Sequence, residues 1–476
     1  MRWLEGREAQ QHPPSGGAGA AGGALPVPAD GPGVFGRRLT RRGLARRGAG
    51  GVAAAGGVEV AASCGVDVGG GPRAERRPVT LQYWSRFTGT NPIQAFEEQH
   101  LPVFMEKLAP IKVERTGISG SYDDLLEKVT TAFASGTAPD VFTMGSSGVV
   151  AYAHPGSAMA LDAAPRLKQE VDDFFGPPLA VGRYKGKLYG LTYYIDTRMA
   201  LYRRDLLAEA GVPTDRRHLP KTWDQFREAM KRVTRWEGGQ IARIGFEVPK
   251  SGDAKIFMTM VAQQGKNIYN PEGTKVAFDG PEGHKALQML VDLVHRDRID
   301  SFQRPQFPSG VETLATPYLA GKFANSDVSA RVKAAGLDPS AALVTDFIPE
   351  FTGKTTAASY LGGTWQMASK GTKDADAAAE LIAFLTGPDL TLAIAEATAT
   401  VPARKSVDKA PYLQNAVMRP FYESLQYGWS VPQHPRHREI ETKLIEVIGE
   451  ATQQSKSVPQ ALADAAAFAN GLLAGG

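Results

Sequence analysis

The side chains best able to react are few and scattered. Of eight His in 476 residues, only His434 and His437 lie close together, with no acidic or Cys residue immediately beside either. A metal centre needs three or four clustered ligands, so no metal and no other cofactor is expected. His-Glu-x-x-His, Gly-x-Ser-x-Gly and a phosphate-loop Gly-Lys are all absent. Gly17 to Gly22 matches a dinucleotide pattern, but it follows no strand and opens no helix. The acid pairs Asp123-Asp124 and Asp172-Asp173 read as solvated helix ends. A glycosidase needs two facing carboxylates about 5–10 Å apart, and no carboxylate here stands in a recognisable setting for that. The residues point to binding rather than catalysis.

The stretch best placed to bind is Leu188 to Tyr202. Tyr189, Leu191, Tyr193, Ile195, Met199 and Leu201 alternate with Gly190, Thr192, Asp196 and Arg198, which is the period of a strand. Strands average about 5–6 residues, so so long a run predicts a segment that leaves one body and enters a second. Tyr193, Tyr194 and Asp196 then fall where two bodies meet, a common place for small-molecule sites.

The elements before this stretch alternate in type. Pro78–Ser85 reads as a strand, Ile93–Leu108 as a helix and Ile111–Arg115 as a second strand. Ser121 caps a helix carrying Leu125, Val129 and Ala132, and Pro139–Met144 is a third strand. This succession predicts a largely parallel sheet covered by helices. Ligands of such sheets lie beyond the carboxyl ends of the strands. Trp84, Arg86 and the loop Gly145-Ser146-Ser147-Gly148 are therefore expected at the mouth of a cleft, the loop reading equally well as a plain connection. Farther on, Thr222 and Gln225 form a capping box. It opens a helix whose Trp223, Phe226, Met230, Val233 and Trp236 make a core stripe.

Several motifs carry a family resemblance. Tyr189-Gly-Leu-Thr-Tyr-Tyr-Ile-Asp-Thr-Arg198, then Leu201 to Val212 and Pro220-Lys-Thr-Trp-Asp-Gln-Phe226, resemble the first hinge of sugar-type solute-binding proteins. Ala134–Val141, Tyr360–Ala368 with its paired glycines, and Val401-Pro-Ala-Arg404 match the same family in order and spacing. The resemblance spans roughly residues 78–475. It implies an α/β periplasmic-binding-protein fold, with a ligand cleft between two lobes joined by hinge strands. The expected lobes are 78–192 with 341–370, and 193–340 with 371–476. Phe323–Ser329 and Val344–Pro349 are read as the return into the first lobe.

The resemblance also implies a non-enzymatic receptor that captures a sugar, oligosaccharide or polyol and hands it to the permease subunits of an ABC importer. Sugar sites combine aromatic faces with side chains that bond hydroxyls. Trp84, Tyr193, Trp365 and Trp429 are candidates for the first role; Asp140, Asp196, Asn267 and Arg404 are candidates for the second. Arg86, Ser146 and Gly363 complete the candidate set. Arg86, Arg198 and Arg404 leave open a phosphorylated polyol or other non-sugar solute. A secreted carbohydrate-active enzyme and a sensor without transport are the remaining alternatives.

The charge sits at the front of the chain. The formal charge is +4, and residues 1–63 alone hold eight Arg against four acids. The body is therefore formally neutral, and it offers no basic stripe for nucleic acid. Residues 1–36, rich in Gly, Ala and Pro, are expected to be a disordered extension. Thr40-Arg41-Arg42-Gly-Leu-Ala45 resembles a twin-arginine export motif, and Ala61-Ala-Ser-Cys64-Gly65 resembles a lipobox. On that reading residues 1–63 are extension and signal, Cys64 carries lipid, and 64–77 is a tether. Ala61 replaces the usual Leu, and Glu59 interrupts the apolar region. The expected product is an extracytoplasmic, lipid-anchored monomer. Its 42% hydrophobic and 22% charged content is that of an ordinary globular chain.

Overall fold

The computed structural model describes residues 77–475 apart from 249–253, 304–313, 352–358 and 431–433. Residues 1–76, and with them Cys64 and both export motifs, lie outside the described residues.

The strands used below are β1 (Val79–Ser85), β2 (Ile111–Gly117), β3 (Val141–Gly145), β4 (Gly190–Thr197) and β5 (Met199–Arg203). They continue as β6 (Gly321–Ala324), β7 (Leu343–Asp346), β8 (Ser359–Ala368) and β9 (Gly428–Trp429). The helices are α1 (Pro92–Lys107), α2 (Tyr122–Ala134), α3 (Ser146–Ala153), α4 (Trp223–Val233), α5 (Lys255–Ala262) and α6 (Pro281–His295). After these come α7 (Ala375–Leu385), α8 (Pro388–Thr398), α9 (Met418–Ser424), α10 (His437–Thr452) and α11 (Val458–Ala474).

Local chemistry accounts for the boundaries. Asn91 accepts the Ile93 amide at 2.9 Å ahead of Pro92, fixing the start of α1. Ser121 with Asp124, and Thr222 with Gln225, form reciprocal capping boxes that open α2 and α4. In β1, Leu81, Tyr83 and Ser85 are buried while their neighbours are half-exposed, so one face meets the core.

The larger sheet runs β9-β8-β3-β1-β2, with β4 on the other side of β8. β1 is parallel to β2 and β3, whereas β8 enters antiparallel between β3 and β4. The chain leaves this sheet at Thr197, passes Arg198, and re-enters as β5, the middle of a sheet ordered β6-β5-β7. The long alternating stretch thus serves two sheets, as its length predicts. Leu191, Tyr193, Ile195 and Thr197 are buried, while Tyr194 and Asp196 are half-exposed.

The second sheet corrects part of the expected topology. Phe323 and Val344 lie on β6 and β7, which pair antiparallel with the two edges of β5 rather than returning to the first sheet. The return strand is β8. α7 packs against β1, β3 and β8, and α8 against α1 and β4, whereas α9 touches β7 of the second sheet. Periodicity marks a strand or a helix, but it does not say which sheet or core receives it. Phe226, Phe246 and Phe323 form the centre of the second core, with Phe246 and Phe323 ring centroids 4.4 Å apart. Trp223 packs there fully buried; Trp236 lies past the end of α4, covered by the Arg298 guanidinium 3.9 Å from a ring centroid.

Gly363 is a point of close approach between β8 and β4. Its φ is +134°, and a Cβ there would run into the Tyr194 carbonyl. The register shifts beside it, between Thr364 and Trp365, so that Tyr193 is the extra residue of a bulge. Gly363→Ala is expected to lower the unfolding free energy by about 2–4 kcal/mol. Gly362→Ala, whose added Cβ meets nothing nearer than 3.3 Å, should cost clearly less in the same urea titration.

Candidate functional site

The carboxyl ends of β1 and β3 open onto one edge of the larger sheet, which the second half of β4 and the start of β8 extend. Arg86 follows β1 there, its amide donating to Thr143 Oγ1 at 2.8 Å. Its guanidinium carbon lies 5.4 Å from the Tyr122 ring centroid and 5.7 Å from that of Phe87. Ser146 does not sit in a loop; it begins α3. The glycines around it make room for Tyr122, because a Cβ at Gly148 would lie 2.8 Å from the Tyr122 hydroxyl. Tyr194 lies in the same region, its phenol pushed up by burial and drawn back by the Arg86 charge. Asp196 accepts from Arg198 Nη1 at 3.2 Å.

Tyr360, at the start of β8, meets the second core. Its ring centroid is 6.0 Å from that of half-buried Trp429, and Lys255 Nζ of α5 stands 5.6 Å from its ring. Burial pushes the Tyr360 phenol up to about 12, against the pull of Lys255. Lys255 Nζ binds Glu441 Oε1 of α10 at 3.0 Å. Burial alone would raise the Glu441 carboxyl, but Lys255, His437 and Arg438 outweigh it and hold the group below its usual value.

Half-buried Trp429 and Tyr194 supply aromatic surface, backed by the buried Tyr360, and Asp196, Arg198, Lys255 and Ser146 supply donors and acceptors with buried Glu441 behind Lys255. Asp196 pairs with Arg198, and Glu441 with both Lys255 and Arg438. A hydrolase acid needs a carboxyl raised toward neutrality, and Glu441 is shifted the other way. Among the described residues no group of three His, Cys, Asp or Glu could hold a metal ion.

Four expected site residues are not brought to this surface. Tyr193, the extra residue of the β4 bulge, is fully buried beside Glu97 and Tyr83. Trp365 is likewise fully buried, its strand being covered on both faces. Asp140 precedes β3 at the end away from this edge, accepting from Gln82 N and Thr372 Oγ1, each at 2.8 Å. Arg404 is 1% exposed and pairs with Glu170 Oε2 at 2.7 Å, with Asp173 at 3.4 Å, and with the Phe174 ring.

Two others lie elsewhere. Trp84 lines a groove of about 370 Å³ beside α2, with Asp124, Lys128 and Thr131. Asn267 lines a cavity of about 1100 Å³ with Tyr184, Tyr269, His154 and His434, and its own Oδ1 accepts the Ile268 amide at 2.7 Å. Gly363 contributes through its close approach to β4. Arg86, Ser146, Asp196 and Trp429 remain at the edge described.

Sequence reasoning missed Tyr122, Tyr360, Lys255 and Glu441 as site residues. It cites Tyr194 only as part of a patch. Nothing in the sequence brings Lys255 and Glu441 together, 186 positions apart.

Comparison with known proteins agrees with this architecture. Residues 93–420 match a family described as bacterial extracellular solute-binding protein. The diacetylchitobiose binding protein DasA of Streptomyces coelicolor is 23% identical over 304 residues, 60% of this chain and 65% of that protein. The sugar-binding protein MalE of Xanthomonas citri superposes with a TM-score of 0.73 at 21% identity, covering 83% of this chain and 98% of that one. The cyclic alpha-maltosyl-1,6-maltose binding protein of Arthrobacter globiformis gives 0.70 at 22% identity, covering 84% and 100%.

Two measurements separate frame from site. Arg404→Met should cost about 1–3 kcal/mol by removing its bonds to the Thr386 carbonyl and to half-buried Glu170 and Asp173, while leaving any ligand-induced rise in melting temperature intact. His437 is buried, which pushes its imidazole down from 6.5 to about 4, with Tyr269 Oη 2.9 Å from Nδ1. The unfolded chain takes up that proton as pH falls through about 6.5, whereas the folded chain resists until about 4. Stability is therefore expected to drop by about 2 kcal/mol from pH 7 to pH 5. His437→Gln should flatten that part of the urea-midpoint profile.

Proposed function

Because the chain belongs to the bacterial extracellular solute-binding proteins, we propose that it captures a carbohydrate between two lobes and delivers it to an ABC importer. The observation that carries this reading is the half-buried Trp429, backed by the buried Tyr360 and bordered by Lys255–Glu441 and Asp196–Arg198. Aromatic faces pack on the C–H patches of a sugar ring, while the charged side chains bond its hydroxyls. DasA is named for diacetylchitobiose, and the Xanthomonas protein is described as sugar-binding; both support the ligand class. The family is one of binding proteins, not enzymes.

The first lobe is proposed to comprise 77–197 with 359–425, and the second 199–346 with 437–475. Ligand touching both lobes stabilises the closed arrangement because only there are all its partners in reach. The family description puts such proteins outside the cytoplasm. Export through the Arg41-Arg42 signal, a lipid on Cys64, a monomeric state and delivery to permease subunits complete the proposal. A phosphorylated polyol is a second reading, favoured by Arg86, whose guanidinium packs on rings of Tyr122 and Phe87.

A thermal-shift screen of mono-, di- and oligosaccharides and polyol phosphates tests the ligand class. A true ligand at ~100 times its dissociation constant contributes about 2.7 kcal/mol, a rise of several degrees. Trp429→Ala is expected to weaken binding about 10- to 100-fold, read by calorimetry. No response to any sugar, with a response to amino acids or peptides, would keep the fold and overturn the carbohydrate reading.

A further inference from the structure

One chain of charges crosses from the candidate site to the opposite rim. Lys255 Nζ, above the Tyr360 ring, binds Glu441 Oε1 at 3.0 Å. Arg438, one turn before Glu441 on α10, reaches Glu441 Oε2 at 3.4 Å. The same guanidinium binds Asp123 Oδ2 at 3.2 Å and Oδ1 at 3.3 Å. Asp123 belongs to the first turn of α2, whose Leu125 and Val129 pack in the first core. Ile440 and Leu444 of α10 pack in the second core. The Arg438–Asp123 pair therefore joins helices seated on different cores, and its two partners separate if those cores part.

We propose that Arg438 is a positioning residue: it steadies the Glu441 carboxylate at the site and clasps Asp123 across the cleft, favouring the closed arrangement. The proposal rests on the two-lobed reading above. Asp123 is 66% and Arg438 43% exposed, so water and salt screen the pair. Its effect is correspondingly modest, about a two- to fivefold bias in the ratio of closed to open molecules.

The test needs no ligand. The full chain carrying Cys64→Ser, Ala134→Cys and Gln453→Cys is spin-labelled at the two exposed positions, and the interlabel distance distribution is measured. Arg438→Ala and Asp123→Ala are each expected to move about two- to fivefold more weight to the longer distances. The double variant should move no more than either single one, because both remove the same bond. Arg438→Lys should keep part of the short population, and 0.5 M salt should shift the unsubstituted pair in the direction of the alanine variants. Circular dichroism and urea unfolding confirm that each variant is folded. Unchanged distributions in both single variants, or additive shifts in the double one, overturn the clasp. Either result leaves the sugar screen untouched, and a silent sugar screen leaves the clasp standing.

Discussion

Everything in the larger sheet depends on β8 finding its place between β3 and β4. It arrives from a part of the chain more than 160 residues after β4, so its pairing must outweigh a large loss of chain freedom. Backbone hydrogen bonds on both edges supply part of that. A buried polar chain supplies direction: Gln366 Nε2 donates to Tyr83 Oη at 3.0 Å, and Tyr83 donates to Glu97 Oε1 at 2.6 Å. Arg115 closes it by donating to Glu97 Oε2 at 2.7 Å. Burial pushes the Glu97 carboxyl up while Arg115 pulls it down. Such a network is costly if one member is missing, and thereby selects one register of β8 over its neighbours.

The same strand builds the site. Its buried half, around Trp365 and Met367, is frame; its first residues, around Tyr360, meet the helices of the second core. Closure of a cleft and stability of the first core thus share one covalent element. At the crossing, Thr197 Oγ1, Ser359 Oγ and the Arg198 carbonyl are linked by short hydrogen bonds, with Ser424 Oγ 3.3 Å from Thr197 Oγ1. These fix the ends of β4 and β8 against each other where β5 begins.

Much of the frame was legible because it rests on local rules. The capping boxes, the strand–helix succession and the double use of Leu188–Tyr202 all follow from short-range periodicity. The candidate site was less legible. Tyr193 looks like a platform by residue type, but it is the unpaired residue of the bulge and is buried beside Tyr83, which no local spacing announces. Arg404 looked like a ligand cation, yet Glu170 and Asp173 claim it; no spacing announces a pairing across 231 positions. Trp365 stands beside two glycines, which signalled closeness to another strand rather than to a solute. Lys255 and Glu441 meet only through tertiary packing.

Adjacent tyrosines with opposite fates impose a limit on how this segment can change in evolution. Tyr193 belongs to the interior and Tyr194 faces the cleft region, and the bulge that separates their pairings has room for one extra residue. Substitution at Tyr194, Asp196 or Arg198 can retune what is recognised while the interior stays filled. Insertion or deletion of a single residue elsewhere in Gly190–Thr197 cannot, since it would exchange the two faces on one side of the change, and only the bulge carries an unpaired residue to absorb it. Diversification of specificity here is confined to changes of letter, and changes of length are left to the connections at the sheet's rim.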